Sequence, residues 1–247
     1  MSGGNPACVI PLDSWLEDDL MLSISKINSV AETAFFILKD DTILLRWFTP
    51  EIEMDLCGHA TLATAYCLNS ILNYPDKSIK FETKSGDISV DYKDGKYHMD
   101  FPSRVPVKSD LPKLISKSLN LKPSEIYKSR DFLLIYNSEK EIKKIKINTR
   151  YFNKINLDPG GVVVTAKGTS SDFVSRYFTP QSTILEDPAT GSSHCSLIPF
   201  WSKRLNKTHL TSIQLSKRIG EFECINHSKR VTVIGSAVNY SKTTITI

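Results

Sequence analysis

The sequence predicts an α+β protein of two pseudo-symmetric lobes, each a mostly antiparallel sheet or barrel wrapped around a central helix. Two matched stretches predict the duplication. RWFTP at 46–50 returns as RYFTP at 176–180, 130 residues later. SIKFETKSG from Ser78 returns as SIQLSKRIG from Ser212, at an offset of 134 residues. The same order at nearly the same offset indicates two copies of one unit of about 120 residues.

The first copy contains one helix and one hairpin with clear local signals. GHATLATAYCLNSIL, from Gly58, is rich in Ala and Leu and apolar on nearly every side, so we predict a buried helix of about four turns. FETKSGDISVDYKDGKYHMDF alternates apolar and polar residues around Asp94 and Gly95. This pattern is typical of a β-hairpin with an Asp-Gly turn.

The second copy is predicted from short runs of apolar and β-branched residues. DFLLIYN, GVVVTA, RVTVIG and the terminal TTITI have strand length and composition, and LPKLISKSL forms a short opening helix. Prolines and polar residues cluster over 101–112, which predicts the boundary between the lobes. We therefore expect an N-terminal lobe over 1–104, a C-terminal lobe over 105–239, and a strand within 240–247 that completes the N-terminal lobe.

Composition narrows the classes of partner. The 247 residues are 40% apolar and 23% charged, and the net charge of +4 is spread over Lys-rich patches rather than one basic tract, which disfavours nucleic acid. No apolar run approaches the ~18 residues of a membrane span. The five cysteines show no CxxC spacing, and no secretory segment is evident. We expect reduced thiols and a cytoplasmic location.

Two glycine turns indicate an anion-binding cleft. Gly58 opens the first helix-length segment and Gly191 opens the second, each after an acidic stretch. A helix N-terminus presents unpaired N–H groups and the positive end of the helix dipole, which favour an anion. If the halves face each other by approximate two-fold symmetry, both N-termini meet in one cleft. The predicted ligand is a small molecule that carries a carboxylate.

Polar residues accompany both glycines. His59 follows the first, and Asp187, Ser192 and His194 surround the second. Each has a structural interpretation as well: Ser192 can cap the helix, Asp187 can cap a turn, and His194 can be a packed core histidine. Local sequence alone leaves both interpretations open.

Glu32 is the single charge in the apolar run SVAETAFFIL. A carboxyl group surrounded by apolar residues can take up and return a proton near neutral pH. The alternative is a helix with one solvent-facing glutamate. Glu53 and Asp55 lie in a more polar stretch and are interpreted as turn or structural acids.

Four ordered motifs, spread over most of the chain, resemble those of one protein family. They are GNPACVIPL from Gly4, NSVAETAFF from Asn28, FTPEIEMDLCGHATLATA from Phe48 and SRYFTPQSTILEDPATGSSHCSLIPFW from Ser175. These motifs resemble the PhzF-like family of the phenazine biosynthesis group, whose two-lobed fold is shared with diaminopimelate epimerase.

The resemblance implies a cofactor-independent isomerase, with no metal, in which a glutamate moves a proton as acid and base. It implies that the other matched residues bind and orient the substrate and its carboxylate. The predicted site is then catalytic Glu32 with substrate-binding His59, Asp187, Ser192, Gly58 and Gly191, and with Asn5 and His194 as further candidates. A homodimer is left open.

Two alternatives are kept. A two-base racemase like the epimerase needs a thiol at each helix N-terminus; Cys57 stands at the first, but alignment to the epimerase places Pro188 where the second thiol should be, and Cys195 lies further on. A non-catalytic binding protein that retains the fold is the other. The histidines show no HxxxH or HxH spacing and no nucleotide-binding glycine loop is present, which disfavours a metal or nucleotide cofactor.

Overall fold

The computed structural model describes residues 3–39, 42–157, 160–180 and 182–245, and its strands form one continuous 16-stranded sheet. The elements of the first half are β1 Ala7–Leu12, α1 Asp18–Asn28, β2 Glu32–Lys39, β3 Thr42–Phe48, β4 Glu53–Met54, α2 Gly58–Tyr66, β5 Ser78–Thr83, β6 Gly86–Lys93 and β7 Lys96–Pro102. A π-helical segment over Cys67–Ile71 extends α2.

The second half continues directly from β7. Its elements are β8 Val107–Lys108, α3 Lys113–Ser118, β9 Glu125–Lys128, β10 Phe132–Ile135, α4 Glu139–Lys144, α5 Thr149–Phe152, β11 Val162–Lys167, β12 Phe173–Phe178, β13 Glu186–Asp187, α6 His194–Leu205, β14 His209–Gln214, β15 Gly220–Asn226 and β16 Arg230–Gly235.

The two halves of the sheet are built in the same order. The path β1-β2-β3-β5-β6-β7 in the first half matches β10-β11-β12-β14-β15-β16 in the second. Parallel pairs recur at the same places, β1 with β2 and β10 with β11, then β3 with β5 and β12 with β14. Antiparallel pairing of β7 with β16 joins the halves.

Each half wraps its sheet around one helix, α2 or α6. Their inner residues belong to a single apolar cluster that runs through both halves. In α6, Trp201 stacks on Phe173 of β12 at a centroid distance of 5.8 Å. Helices that are apolar on nearly every side must be surrounded, and the two arms of the sheet provide that cover. The mixed α+β class predicted from the sequence is confirmed.

The local signals of the sequence are borne out in most places. The hairpin forms from β6 and β7, and its turn residues Asp94 and Gly95 have φ values of 50° and 77°. Positive φ at both central residues is what a type I′ turn requires, which explains the Asp-Gly pair. Among the described residues, no helix is long and apolar enough to cross a membrane.

The described residues of 240–247 do not form the closing strand that the sequence predicts. Residues 240–245 have no regular secondary structure and are exposed, and residues 246 and 247 lie outside the described residues. β-branched composition favours a strand only where an edge is available to pair with, because the preference reflects packing on a sheet surface. The lobe boundary near residue 104 stays a prediction.

Candidate active site

The candidate site is a cavity of about 210 Å³ between the two halves, at the place where the N-termini of α2 and α6 meet. The meeting is close: a Cβ atom built on Gly58 would lie 2.7 Å from the Cα of Gly191, and one built on Gly191 would lie 3.0 Å from the Cα of Gly58. Neither backbone can tolerate a side chain at this contact. The expectation that Gly191 opens the second helix is wrong, because α6 begins at His194 and Gly191 lies in the turn before it. The two glycines bring the first N–H groups of α2 and those of this turn to one cavity.

A repeated ion pair sets the position of both helix N-termini. In the first half Arg46 donates to both carboxylate oxygens of Glu53, at 2.7 and 2.9 Å. In the second half Arg176 donates to both carboxylate oxygens of Glu186 at the same two distances. Each glutamate begins a two-residue strand that precedes the glycine by five positions. Glu53 is thus a structural acid, as the sequence indicated.

The first half contributes an ion pair that faces the cavity. Glu32 begins strand β2, so the helical alternative for this segment is wrong. His59 is the second residue of α2, and its Nε2 lies 3.1 Å from Glu32 Oε2. Burial alone lowers the pKa of His59, but the contacts with Cys57 and Glu32 outweigh it and raise that pKa well above its usual value. His59 Nε2 and Glu32 Oε2 face each other without a well-aligned hydrogen bond, and the raised pKa favours the protonated form of the imidazole.

Cys57 is the third member of this group. Its sulfur lies 3.6 Å from His59 Nδ1. Burial and the neighbouring Glu32 charge raise the pKa of the thiol. The raised pKa favours the neutral thiol at pH 7.

The second half contributes a buried acid, Asp187, in β13. Asn5 donates to its Oδ1 at 2.6 Å, and the Thr190 hydroxyl donates to its Oδ2. Burial and the Glu32 charge raise the pKa of Asp187 to about 7, against the opposing effect of His59. Gln214 Nε2 donates to the Asp187 carbonyl at 2.6 Å and fixes the strand end. Asp187 is thus poised between its two protonation states at neutral pH.

Ser192 lines the cavity beside Gly191 and does not cap the helix. The N-cap position of α6 is Ser193, and no side-chain cap hydrogen bond is formed there. Ser192 Oγ instead accepts a hydrogen bond from Arg130 Nη2 at 3.2 Å. The capping interpretation of Ser192 is therefore not realised.

His194 is a packed core residue. It is fully buried, its Nδ1 lies 2.9 Å from the Thr190 carbonyl, and its Nε2 lies 2.8 Å from Ser212 Oγ. Phe222 packs on the ring at a centroid distance of 4.2 Å. Burial lowers the pKa of His194 to about 4, so the ring is neutral. It is not among the residues that line the cavity.

The structure brings most of the sequence-predicted site residues together. Around the cavity it collects Glu32, His59, Asp187, Ser192, Gly58 and Gly191, and Asn5 bridges the halves through its contacts with Asp187 and with His59 Nδ1 at 3.3 Å. Sequence reasoning missed Arg130, Thr190 and Gln214. Thr190 lies within the motif quoted from Ser175, but nothing local distinguishes Arg130 or Gln214, which reach the site only through the fold.

A metal ion has one candidate place among the described residues. Ligand atoms of Glu32, Cys57 and His59 lie within 4.8 Å of one another. Metal binding requires a neutral imidazole and a thiolate, and the raised pKa values of His59 and Cys57 oppose both forms. A cation would have to displace both protons, so this donor set fits an internal ion pair better than a metal.

Comparison with known proteins places this geometry in a family. The model of the phenazine biosynthesis-like protein family, PhzC-PhzF, matches residues 1–243. An uncharacterized isomerase of Pseudomonas aeruginosa is 40% identical over 242 residues, which cover 98% of this chain and 93% of that protein.

Solved structures agree with the match. The crystal structure of a PhzF family protein from Enterococcus faecalis superimposes with a TM-score of 0.88 at 40% identity and covers 97% of this chain and 92% of that one. A predicted epimerase from Pseudomonas aeruginosa shares the fold with a TM-score of 0.72 at 16% identity, over 95% of this chain and 90% of that one. The duplicated, epimerase-like fold and the whole-chain match together assign this chain to the PhzC-PhzF family of phenazine biosynthesis-like proteins.

Proposed function

We propose that this protein is a cofactor-independent isomerase that moves a proton on a small carboxylated molecule bound between the two halves, with Glu32 as acid and base. Isomerase activity in general is supported by relatives that are named isomerases and by the epimerase-like fold. The choice of Glu32 and of the substrate class goes beyond those names and rests on the site.

The observation that carries the proposal is the position of the Glu32 carboxylate. It lies in the cavity lining, 14% exposed, with Oε2 3.1 Å from His59 Nε2. His59 Nε2 faces this oxygen at ion-pair distance, and an ionised carboxylate is the form of a glutamate that can accept a proton. A general base must lie within reach of the bound substrate, and a group in the lining of a small cavity meets that condition.

Negative charge that develops on the substrate would be met by the helix N-termini. The first N–H groups of α2 and of the turn into α6 converge at Gly58 and Gly191. Such preorganised donors stabilise an anion without reorganisation during the reaction. Together with Ser192 they form the site that we assign to a carboxylate or to an enolate-like oxygen.

Asp187 supplies a second ionisable group. Its pKa of about 7 means that it holds a proton in a large share of molecules at neutral pH. It can therefore donate a proton to a substrate heteroatom or bind an ammonium group after ionisation. We assign it to substrate orientation, with proton exchange as a secondary role.

The two-thiol alternative lacks its second thiol among the described lining residues. Cys57 and Thr190 occupy matching positions, each directly before its glycine, so a thiol on one side faces a hydroxyl on the other. The hydroxyl of Thr190 is already bonded to Asp187. A two-base mechanism through Cys57 is therefore disfavoured.

The test is solvent deuterium incorporation, followed by mass spectrometry and NMR, over a panel of small cyclic and amino-acid-like carboxylates. We expect wild type to label at least one compound and Glu32→Gln to label it about 10² to 10⁴ times more slowly.

Glu51→Gln is the matched control, because Glu51 lines the same cavity but binds Thr183 at the rim, with Thr183 Oγ1 at 2.8 Å. This variant should retain the wild-type rate. Absence of label across the panel, with ligand binding intact, would contradict the proposal in favour of a binding protein.

A further inference from the structure

Arg130 is a buried cation next to the cavity that the proposed chemistry does not use. It lies in the turn between β9 and β10, its side chain is 10% exposed, and it does not line the cavity. Its Nη2 donates to Ser192 Oγ at 3.2 Å, and its Nη1 donates to Asp55 in the first half at 3.0 Å. Arg130 thus joins a residue of one half to a site residue of the other.

The contact with Arg130 prevents the Ser192 hydroxyl hydrogen from pointing toward the guanidinium. A guanidinium group only donates hydrogen bonds, so the Ser192 oxygen must be the acceptor. The hydroxyl hydrogen must then point to another acceptor. Among the described residues Ser192 Oγ has no hydrogen-bond partner besides Arg130. Since Ser192 lines the cavity, its hydrogen is available to a ligand there.

Two carboxylates outside the cavity lining balance the charge of Arg130. Asp55 and Asp131 both contact the guanidinium, at 3.0 and 3.3 Å. Asp131 is itself held by the Tyr177 hydroxyl at 3.0 Å and by the Gly161 N–H at 2.9 Å. A neutralised cation attracts a distant anion weakly, so the effect of Arg130 on a ligand passes through the serine it orients.

We propose that Arg130 is a positioning residue that holds the Ser192 hydroxyl as a hydrogen-bond donor into the cavity, and that Asp55 holds Arg130 from the opposite half. The donor is then set only when the two halves are docked. The assignment of this donor to a carboxylate rests on the proposed function; the direction of the hydroxyl does not.

Neutron diffraction on deuterium-exchanged crystals of the unliganded protein tests the direction itself. We expect a deuteron on Ser192 Oγ that points into the cavity, with the Arg130 Nη2 deuteron pointing at the serine oxygen. A serine deuteron directed at a protein acceptor, or an Arg130 that does not donate to Ser192, would overturn the proposal. This outcome is independent of whether any turnover is found, so it separates failure of this proposal from failure of the isomerase assignment.

Kinetics on a compound that labels tests the consequence. Arg130→Lys keeps the charge, but a compact ammonium cannot reach Asp55 and Ser192 with the fork geometry of arginine. We expect KM to rise about tenfold with kcat within about twofold, the pattern of lost uniform binding. In a Ser192→Ala background the same substitution should leave KM unchanged.

Arg104→Met is the control, because Arg104 also binds Asp55, at 3.1 Å, but contacts no cavity residue that we assign to the ligand. It should leave KM near the wild-type value. An equal rise in KM for Arg104→Met, or an effect of Arg130→Lys that persists without the Ser192 hydroxyl, would mean that Arg130 only supports the lobe interface.

Discussion

The two halves of the molecule share one frame but carry different chemistry at the same positions. In each half an Arg-Glu pair anchors a short strand, and a glycine follows the glutamate by five positions; Gly58 is the first residue of α2, and Gly191 lies in the turn three residues before α6. Around Gly58 the side chains form an ion pair beside a thiol. Around Gly191 they form a network of hydroxyl and amide groups about one buried acid, Asp187.

The difference teaches which positions the fold controls and which it leaves free. The anchoring pairs and the glycines serve the geometry and are the same in both halves. Inside the cavity the equivalent positions of the two halves carry different residues. Met54 corresponds to Asp187, and Cys57 corresponds to Thr190. A symmetric scaffold therefore presents an asymmetric site, which is what a substrate with two different ends requires.

The largest expected effect concerns the acid of the second half. Because the pKa of Asp187 is raised to about 7, the folded protein binds a proton more tightly than the unfolded chain between the ordinary carboxyl range and neutrality. Asp187 therefore favours folding at low pH, and this contribution is lost as the pH rises through 7. We expect the change in the free energy of unfolding caused by Asp187→Asn to be more favourable at pH 8 than at pH 4, by on the order of 2–4 kcal/mol.

Urea denaturation at pH 4 and pH 8 measures the two free energies of unfolding. In wild type, His194 has a pH dependence opposite to that of Asp187. Burial lowers the pKa of His194 to about 4, so His194 destabilises the fold as the pH falls from about 6.5 toward 4. The Asp187→Asn variant should expose that decline more clearly than wild type. A variant whose stability relative to wild type is no more favourable at pH 8 than at pH 4 would contradict the raised pKa.

The glycine contact should give the next largest effect. Gly58→Ala places a methyl group 2.7 Å from the backbone of Gly191, which cannot move aside. We expect a loss of about 2–3 kcal/mol in the free energy of unfolding and a loss of activity. Gly235→Ala is the control, because its new methyl group meets only the Leu62 side chain, at 3.0 Å. Equal losses in the two variants would show that the helix contact is not special.

The anchoring pairs should give a smaller and matched effect. Glu53→Gln and Glu186→Gln each weaken one bidentate pair whose members are partly buried, and Glu53→Gln also weakens the contact of Glu53 with Lys84. We expect each to lower the free energy of unfolding by about 1–2 kcal/mol, by thermal or urea denaturation. A loss confined to one half would break the equivalence of the two frames.

The smallest effect is expected at the thiol. Cys57→Ser replaces the thiol before Gly58 with a hydroxyl, as Thr190 already provides before Gly191. It also removes the sulfur that contacts His59. In a mechanism with Glu32 as the single base, the rate of deuterium incorporation should stay within a few-fold of wild type. A loss comparable to that of Glu32→Gln would instead favour a thiol base.

Much of the fold and the centre of the site could be predicted from the sequence. Periodicity found the hairpin and the buried helix, and the repeated RWFTP and RYFTP segments lie on matching strands. Glu32, His59, Asp187 and Ser192 were identified from short motifs that resemble those of one family, and all four line the cavity. Glu32 was nevertheless ambiguous between helix and strand, because a short apolar run does not distinguish the two.

The remaining features depend on contacts between distant segments. Arg130 and Ser192 are 62 residues apart in the sequence, and no local pattern predicts their contact. Residues 243–245 have strand composition but form no strand, because composition does not specify a pairing partner. His194 stands beside the site residues in sequence, yet the helix turns its ring into the core.

The most direct test of the central claim compares two variants on one substrate. Initial rates of solvent deuterium incorporation are measured for wild type, Glu32→Gln and Cys57→Ser with a compound that wild type labels. The account predicts that Glu32→Gln abolishes the label and that Cys57→Ser retains it. Retention in Glu32→Gln together with loss in Cys57→Ser would contradict the assignment of Glu32 as the group that moves the proton.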